Sequence, residues 1–385
     1  MRRLKICNIG WAHSMHVERW ARWFSEKGHE VSIITDAPKE IERVTVYNID
    51  ERPADKGRLE RYKEFQFNFY CPPLYNLNRI VRLRKLIRKI QPDVLTLHSL
   101  WYPAYLGLYA GFKPFVISAF DGDIVWVGDN ITRWHKLRTR YALMNADIVV
   151  GDSVYITQEC VRKGAGKDKT YVMRRGVDLT KFNINGDKKK IRKQLDFPLG
   201  AKIVLSPRNL GALYNLEKIV NLIPKIAERI KDVLFVFIWH SKENGEELKC
   251  LAEKAGILDK VRFVGRVEHN IVALYHRSSD VMISISDRDS GPVALQEAMA
   301  CGNVPVISDL PCVRELVTDR INGFLVNPSD EIQIVDAVIT LLTNDALRSE
   351  IAERNWKIAQ EKCDQEKEMQ KMEELYYELT KENRK

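Results

Sequence analysis

Asp289 and Glu297 stand eight positions apart in "SDRDSGPVALQEAMACGNVPV", residues 286 to 306. Asp289 falls in a turn-like cluster, and Glu297 lies between Val293, Ala294, Ala298 and Met299 in a run of small and apolar residues. An ionised carboxylate is seldom fully buried without donors, so Glu297 either meets a partner there, faces solvent, or pairs with a neighbouring Arg. The turn chemistry sets the local plan. Ser290, Gly291 and Pro292 offer an N-cap, a flexible residue and a helix-compatible proline, which predicts a helix starting near Pro292. "SSDVMISIS" before it and "VPVIS" after it read as strands, with Cys301-Gly302 closing the helix. In strand-loop-helix units ligands sit at the carboxyl end of the strand, where free helix amides favour phosphate.

The elements that must position these acids repeat along the chain. "LKICNIG", "MHVERWARWFSEKG" and "HEVSIIT" have the βαβ rhythm of a doubly wound sheet, and "DVLTLHS", "PFVISAF" and "ADIVVGDS" continue it. "AKIVLSP" restarts the pattern, followed by the helix "NLEKIVNLIPKIAERI", the strand "VLFVFIW" and a turn at "RFVGRV". The expected division is an amino-terminal domain over 1–182, a polar linker over 183–200, a second domain over 201–360 and a helical tail over 361–385. From about 345 to 385 the chain reads as helical and highly charged, with Trp356, Ile358, Leu375 and Leu379 as its sparse apolar contacts.

A chain of 385 residues with 45% hydrophobic content suits two domains of ordinary size. No apolar run reaches the roughly 18 residues of a membrane span, and "MRRLKICNIGWAH" is too short and polar for a signal peptide, so a cytoplasmic protein is expected. The cysteines, Cys7, Cys71, Cys160, Cys250, Cys301, Cys312 and Cys363, form no paired metal-ligand motif and read as reduced thiols. The net charge of +9 is uneven: residues 1–181 hold 31 Lys and Arg against 20 Asp and Glu, and the remainder 30 against 32. A basic first half suits an anionic membrane surface, at the inner face of the membrane, or an acidic acceptor; no RNA- or DNA-binding module supports nucleic acid. In "NRIVRLRKLIRKIQP", Ile80, Leu83, Ile87 and Ile90 share one helical side and six basic residues lie elsewhere. That helix either touches acidic lipid headgroups or is a domain helix with a solvated basic face.

With two α/β halves, a linker and this acidic pair, the chain resembles the family 4 glycosyltransferases of the GT-B fold. The resemblance covers nearly the whole chain. It rests on Asp289 and Glu297 with "EAMACG", where Asp replaces the commoner first Glu, and on "FVGRV", "SDLPCVRELV", "INGFLVNPSD", "VMRRGVDLTKF" and "HVERWARWFSEKGHEVSIIT" in the expected order. It implies two Rossmann-like domains facing across a deep cleft, with the C-terminal helix returning to the first. It further implies transfer of a sugar from a UDP- or GDP-linked donor to a glycan or lipid-linked acceptor, with retention and with neither metal nor cofactor.

The resemblance also assigns residues. Glu297 would accept from the ribose hydroxyls and Asp289 from the transferred sugar, while amides near Gly291, Val293 and Ala294 would face the diphosphate. Arg208, in "LSPRNL", matches the phosphate-clamping arginine, and Gly265 and Val267 fall on the nucleotide side. The lysine that usually follows is missing, since "NLGALYNLEK" has no base before Lys218; Tyr214, Asn215 or a base from elsewhere would replace it. His98, Asp121, Asp123 and His16 are candidates for the sugar or acceptor side. The missing lysine and the altered loop "WAHS" leave a second reading, a weak or inactive sugar-nucleotide-binding partner of a membrane glycan-assembly complex.

Overall fold

The computed structural model describes residues 2–50, 77–101, 104–125, 133–239 and 245–382. The chain divides into two compact units, Met1–Arg174 with Lys367–Lys385, and Arg175–Glu366.

The first unit carries strands β1 (Lys5–Ile9), β2 (Glu30–Thr35), β3 (Val44–Asn48), β4 (Val94–His98), β5 (Phe115–Ala119), β6 (Ile148–Gly151) and β7 (Thr170–Val172). They form one parallel sheet in the order β3-β2-β1-β4-β5-β6-β7. The chain winds outward from β1 to β3, then returns to β4 on the other side of β1, so the switch point lies between β1 and β4. The crossing helices lie with α1 (Met15–Glu26) on one face and α2 (Leu77–Ile90), α3 (Arg133–Asn145) and α4 (Val154–Arg162) on the other. Strand side chains alternate accordingly: Val94 packs with Val17, Ala21 and Phe24 of α1, whereas Leu95 and Leu97 pack with Ile80, Leu83, Ile87 and Ile90 of α2.

The second unit repeats the plan with β8 (Lys202–Ser206), β9 (Val233–Trp239), β10 (Val261–Arg266), β11 (Val281–Ser284), β12 (Val304–Ser308) and β13 (Phe324–Val326). These pair in parallel in the order β10-β9-β8-β11-β12-β13, with the switch between β8 and β11. Its helices are α5 (Lys188–Gln194), α6 (Leu216–Arg229), α7 (Glu246–Lys254), α8 (His269–Ser278), α9 (Val293–Ala300), α10 (Glu331–Thr343) and α11 (Asp345–Lys362). The last helix, α12 (Gln365–Glu382), packs onto the α1 face of the first unit through Met369, Met372, Tyr376 and Leu379. Tyr376 is fully buried, with its hydroxyl against Thr96 and accepting from Trp20 Nε1 at 3.3 Å.

Three local expectations are corrected. The stretch 183–200 is built into the second unit rather than left as a linker. Asp187 caps α5, and buried Arg192 donates to Asp280 and to the carbonyls of Ser278, Leu199 and Ala201 at 2.9 Å each. "RFVGRV" is an edge strand, not a turn; the register slips between Phe263 and Gly265, where φ is +81°. Among the expected C-terminal apolar contacts Trp356 and Ile358 are only half-buried, and α11 instead buries Ile351, Ala359 and Asn355, the last exchanging amide hydrogen bonds with Asn322. The six described cysteines are free, burial raising the Cys7 thiol to about 12; Cys71 lies outside the described residues.

Candidate functional site

In the second unit the loops after β8 and β11 meet at the switch point. Asn215, left-handed at φ +53°, donates from its side chain to the Ile285 carbonyl at 2.8 Å and to Asp287 at 2.7 Å, and the Asp287 amide donates back to Leu213. Arg208, buried at the end of β8, ion-pairs through Nη2 with Asp289 at 2.5 Å, and its guanidinium lies 4.5 Å from the Tyr214 ring centre. Arg208 Nε is buried and finds no acceptor among the described residues. Asn215 is therefore committed to bracing the two loops, and Tyr214 supports Arg208 by stacking rather than adding a charge.

Asp289 also closes its own turn, Oδ1 accepting from the amides of Ser290 and Gly291 at 2.8 and 3.3 Å. The Gly291 amide is thus engaged with Asp289. Pro292 occupies the N-cap position, and α9 begins at Val293, so the amides of Val293 and Ala294 lie in the first turn, where no helical carbonyl precedes them.

Glu297 is buried one turn further on and finds protein donors. His269 Nε2 donates to Oε1 at 2.8 Å, and His276 Nε2 stands 3.8 Å from Oε2. Burial by itself would raise this carboxyl; the hydrogen bond from His269 and the nearby His276 ring outweigh it and hold the group down at about 2. The neighbouring-Arg alternative is thereby replaced by a histidine pair. His269 packs on Phe182, ring centres 5.1 Å apart, and Asn303 holds the His276 carbonyl at 3.0 Å. The sequence carried a signal for this pair: seven residues separate the two histidines on α8, two turns, which puts both rings on one helix face.

Gly265 lies near the end of β10 beside Trp239, the last residue of β9, and Val267 directly follows the strand. Gly245, at φ +69°, closes over the same indole; a Cβ there would stand 2.7 Å from it. A cavity of about 820 Å³ opens nearby, lined by Leu210, Gly211, Ala212, Asn215, Lys218 and Gly245.

The first unit gathers the remaining candidates at the carboxyl edges of β1, β4 and β5. His98 ends β4; its Nε2 lies 2.9 Å from Asn8 Oδ1 and its ring meets Trp20 edge-on at 5.3 Å. His16, in the first turn of α1, lies 6.3 Å from the Phe120 ring. Asp123 has 0% exposure and accepts from Ser99 Oγ at 2.9 Å and the Phe120 amide at 3.1 Å. Burial outweighs these bonds and the Arg138 charge and lifts its carboxyl to about 6. Asp123 therefore braces the loops after β4 and β5, while Asp121, next to it, is half-buried. Among the described residues no group of three or more His, Cys, Asp or Glu is placed to hold a metal ion.

Residues 13–181 match the family description "Glycosyltransferase Family 4", and residues 187–357 match "Glycosyl transferases group 1". The chain belongs to glycosyltransferase family 4. An uncharacterized glycosyltransferase of Methanocaldococcus jannaschii is 23% identical, the match covering 93% of this chain and 94% of that protein. The N-acetyl-alpha-D-glucosaminyl L-malate synthase of Bacillus anthracis is 22% identical over 94% and 92%. A D-inositol 3-phosphate glycosyltransferase of Xylanimonas cellulosilytica is 27% identical over 54% of this chain, which spans only 51% of that relative. Among solved structures, sucrose-phosphate synthase from Thermosynechococcus elongatus superposes with TM-score 0.81 at 17% identity, covering 98% of this chain and 99% of that one. Anabaena HepE, crystallised with UDP and glucose, superposes with TM-score 0.77 at 17% identity, covering 98% and 100%. This family 4 chain thus has the GT-B fold of two Rossmann-like units.

Proposed function

We propose that the protein transfers a hexose from a UDP- or GDP-linked donor to a hydroxyl of a glycan or lipid-linked acceptor, with retention of anomeric configuration and without a metal. The observation that carries this reading is the buried Arg208, held at one nitrogen by Asp289 and left without an acceptor at Nε, beside the start of α9. A guanidinium fork with a free buried donor is matched by a diphosphate oxygen. On donor binding the diphosphate takes the Arg208 fork and the first-turn amides at Val293 and Ala294, which stabilise charge as the sugar leaves. Asp289, released from Arg208, turns its oxygens to hydroxyls of the sugar. Glu297, kept ionised by His269 and His276, accepts from the ribose, with Gly265 and Val267 on the nucleotide side. Anabaena HepE binds UDP and UDP-glucose, as its solved complexes state, which favours UDP over GDP. His16, His98 and the loops braced by Asp123 serve the acceptor side in the first unit. We place the protein in the cytoplasm at the inner face of the membrane, on the strength of its basic first half. No helix among the described residues is long and apolar enough to cross a membrane.

The missing lysine between Arg208 and Lys218 favours a second reading, a donor-binding partner with little turnover. Thermal shift against UDP and GDP sugars, followed by product assay on an acceptor panel, separates the two. A donor at about 100 times its Kd stabilises by about 2.7 kcal/mol, and the shift should disappear in Arg208→Ala and shrink in Arg208→Lys and Glu297→Gln. Normal donor affinity and turnover in both Arg208→Ala and Glu297→Gln would defeat the assignment; binding without transfer would favour the second reading.

A further inference from the structure

The outward side of α3 is apolar. Ala142 and Leu143 pack into the core with His135, Arg138 and Thr139, while Trp134, Leu137, Tyr141 and Met144 are 40%, 61%, 54% and 60% exposed. Their spacing of three, four and three residues makes them one stripe along the helix. Isolated exposed apolar side chains are ordinary, but a continuous row of four large ones on a helix marks a surface that is covered in use.

Charge indicates what covers it. Arg133, Lys136 and Arg140 flank the stripe, and α3 contains no Asp or Glu. At its far end the stripe borders the turn at Gly164, where a Cβ would meet Met144 at 3.1 Å and Arg140 at 3.5 Å, and exposed Lys167, Asp168 and Lys169 follow, net basic. The same face of the sheet carries α2, also without an acidic residue, with Arg84, Lys85, Arg88 and Lys89 exposed. The 3-10 segment Ala104–Tyr109 lies between the two helices, touched by Arg84 at the Tyr109 carbonyl and by Arg138 over the Tyr105 ring.

We propose that this face docks on an anionic lipid bilayer, with α3 lying in the interface, its stripe among the acyl chains and its cations at the headgroups. A Trp-Leu-Tyr-Met row with exposed basic residues along one side, on a helix without acids, has the composition of an interfacial helix. A second copy fits less well, because a twofold contact through the stripe sets Arg133, Lys136 and Arg140 against like charges. The basic helix α2, read from sequence as either a lipid contact or a domain helix, uses its regularly spaced Ile80, Leu83, Ile87 and Ile90 in the core, so the apolar part of the contact passes to α3. The proposal rests on the membrane-acceptor reading for its purpose, whereas donor binding belongs to the second unit and is read out separately.

The test is cosedimentation of the full chain with vesicles of phosphatidylglycerol and phosphatidylethanolamine, or of phosphatidylcholine alone. Binding to the anionic vesicles should exceed that to phosphatidylcholine by about tenfold or more and weaken with salt. Trp134→Ser with Leu137→Ser, and separately Arg133→Glu with Arg140→Glu, should each lower binding about tenfold while the donor-induced thermal shift stays unchanged. The proposal is overturned if the wild type ignores anionic vesicles, or if the double variants bind as before. It is equally overturned if sedimentation shows a dimer that Trp134→Ser with Leu137→Ser dissociates, or if the face binds single-stranded RNA in preference to lipid.

Discussion

Asp123 gives the first unit a pH dependence whose sign follows from its burial. The carboxyl is fully buried, and desolvation carries it from 3.8 to about 6 despite hydrogen bonds from Ser99 and Phe120 and the Arg138 charge. Between those values the folded state holds a proton that the unfolded chain releases, so stability is fully present below 3.8 and falls as pH rises to about 6. A displacement of about two units corresponds to roughly 3 kcal/mol. Asp123→Asn keeps the shape and removes the proton exchange. Carboxylates held low, among them Glu297 and Asp280, push the total stability the opposite way at acid pH, so the informative quantity is the difference between variant and wild type. Urea unfolding followed between pH 4 and pH 7.5 should show Asp123→Asn gaining about 3 kcal/mol relative to wild type as pH rises, with the change centred between 4 and 6. A difference flat across that range, or one in which the variant loses ground as pH rises, would refute the reasoning. It would mean that the Ser99 and Phe120 donors outweigh desolvation and keep Asp123 ionised.

Two further outcomes test the packing. Asp280 accepts from Lys188, Arg192 and the Ile203 amide at 2.6, 2.9 and 2.7 Å, so Asp280→Ala leaves the buried Arg192 guanidinium without its counter-charge. Denaturant unfolding should show a loss of about 3–5 kcal/mol, well above that of a surface carboxylate such as Glu331→Ala. Tyr376→Phe removes the hydroxyl set between Thr96 and Trp20 and should cost about 1–2 kcal/mol, with faster amide exchange in α12 as the local readout.

Much of this protein is legible in the order of its residues. Fully buried parallel strands need continuous apolar runs, and "VLFVFIW" or "VPVIS" can be little else, so the two βαβ halves follow from pattern alone. The turn "DSGP" fixes the start of α9, and the two acids then fall at a strand's carboxyl edge and inside the helix. Linear pattern fails where polarity conceals burial. Residues 183–200 look like solvated linker because Lys188 and Arg192 are charged, and only the distant Asp280 shows that they are held in the second unit. In the same way α3 has little regular amphipathicity in its sequence, since its buried side includes His135 and Arg138 and its exposed side carries Trp134 and Leu137.

The sequence by itself determined most of the strands and helices, the two βαβ halves and the identity of the acids at the edge of the second sheet. Local backbone preference and side-chain periodicity suffice for these. Only the tertiary structure decided which side chains meet those acids: Arg208 for Asp289, His269 and, at longer range, His276 for Glu297. These residues lie 81, 28 and 21 positions from their partners, and a contact across such separations is set by how sheet and helices pack.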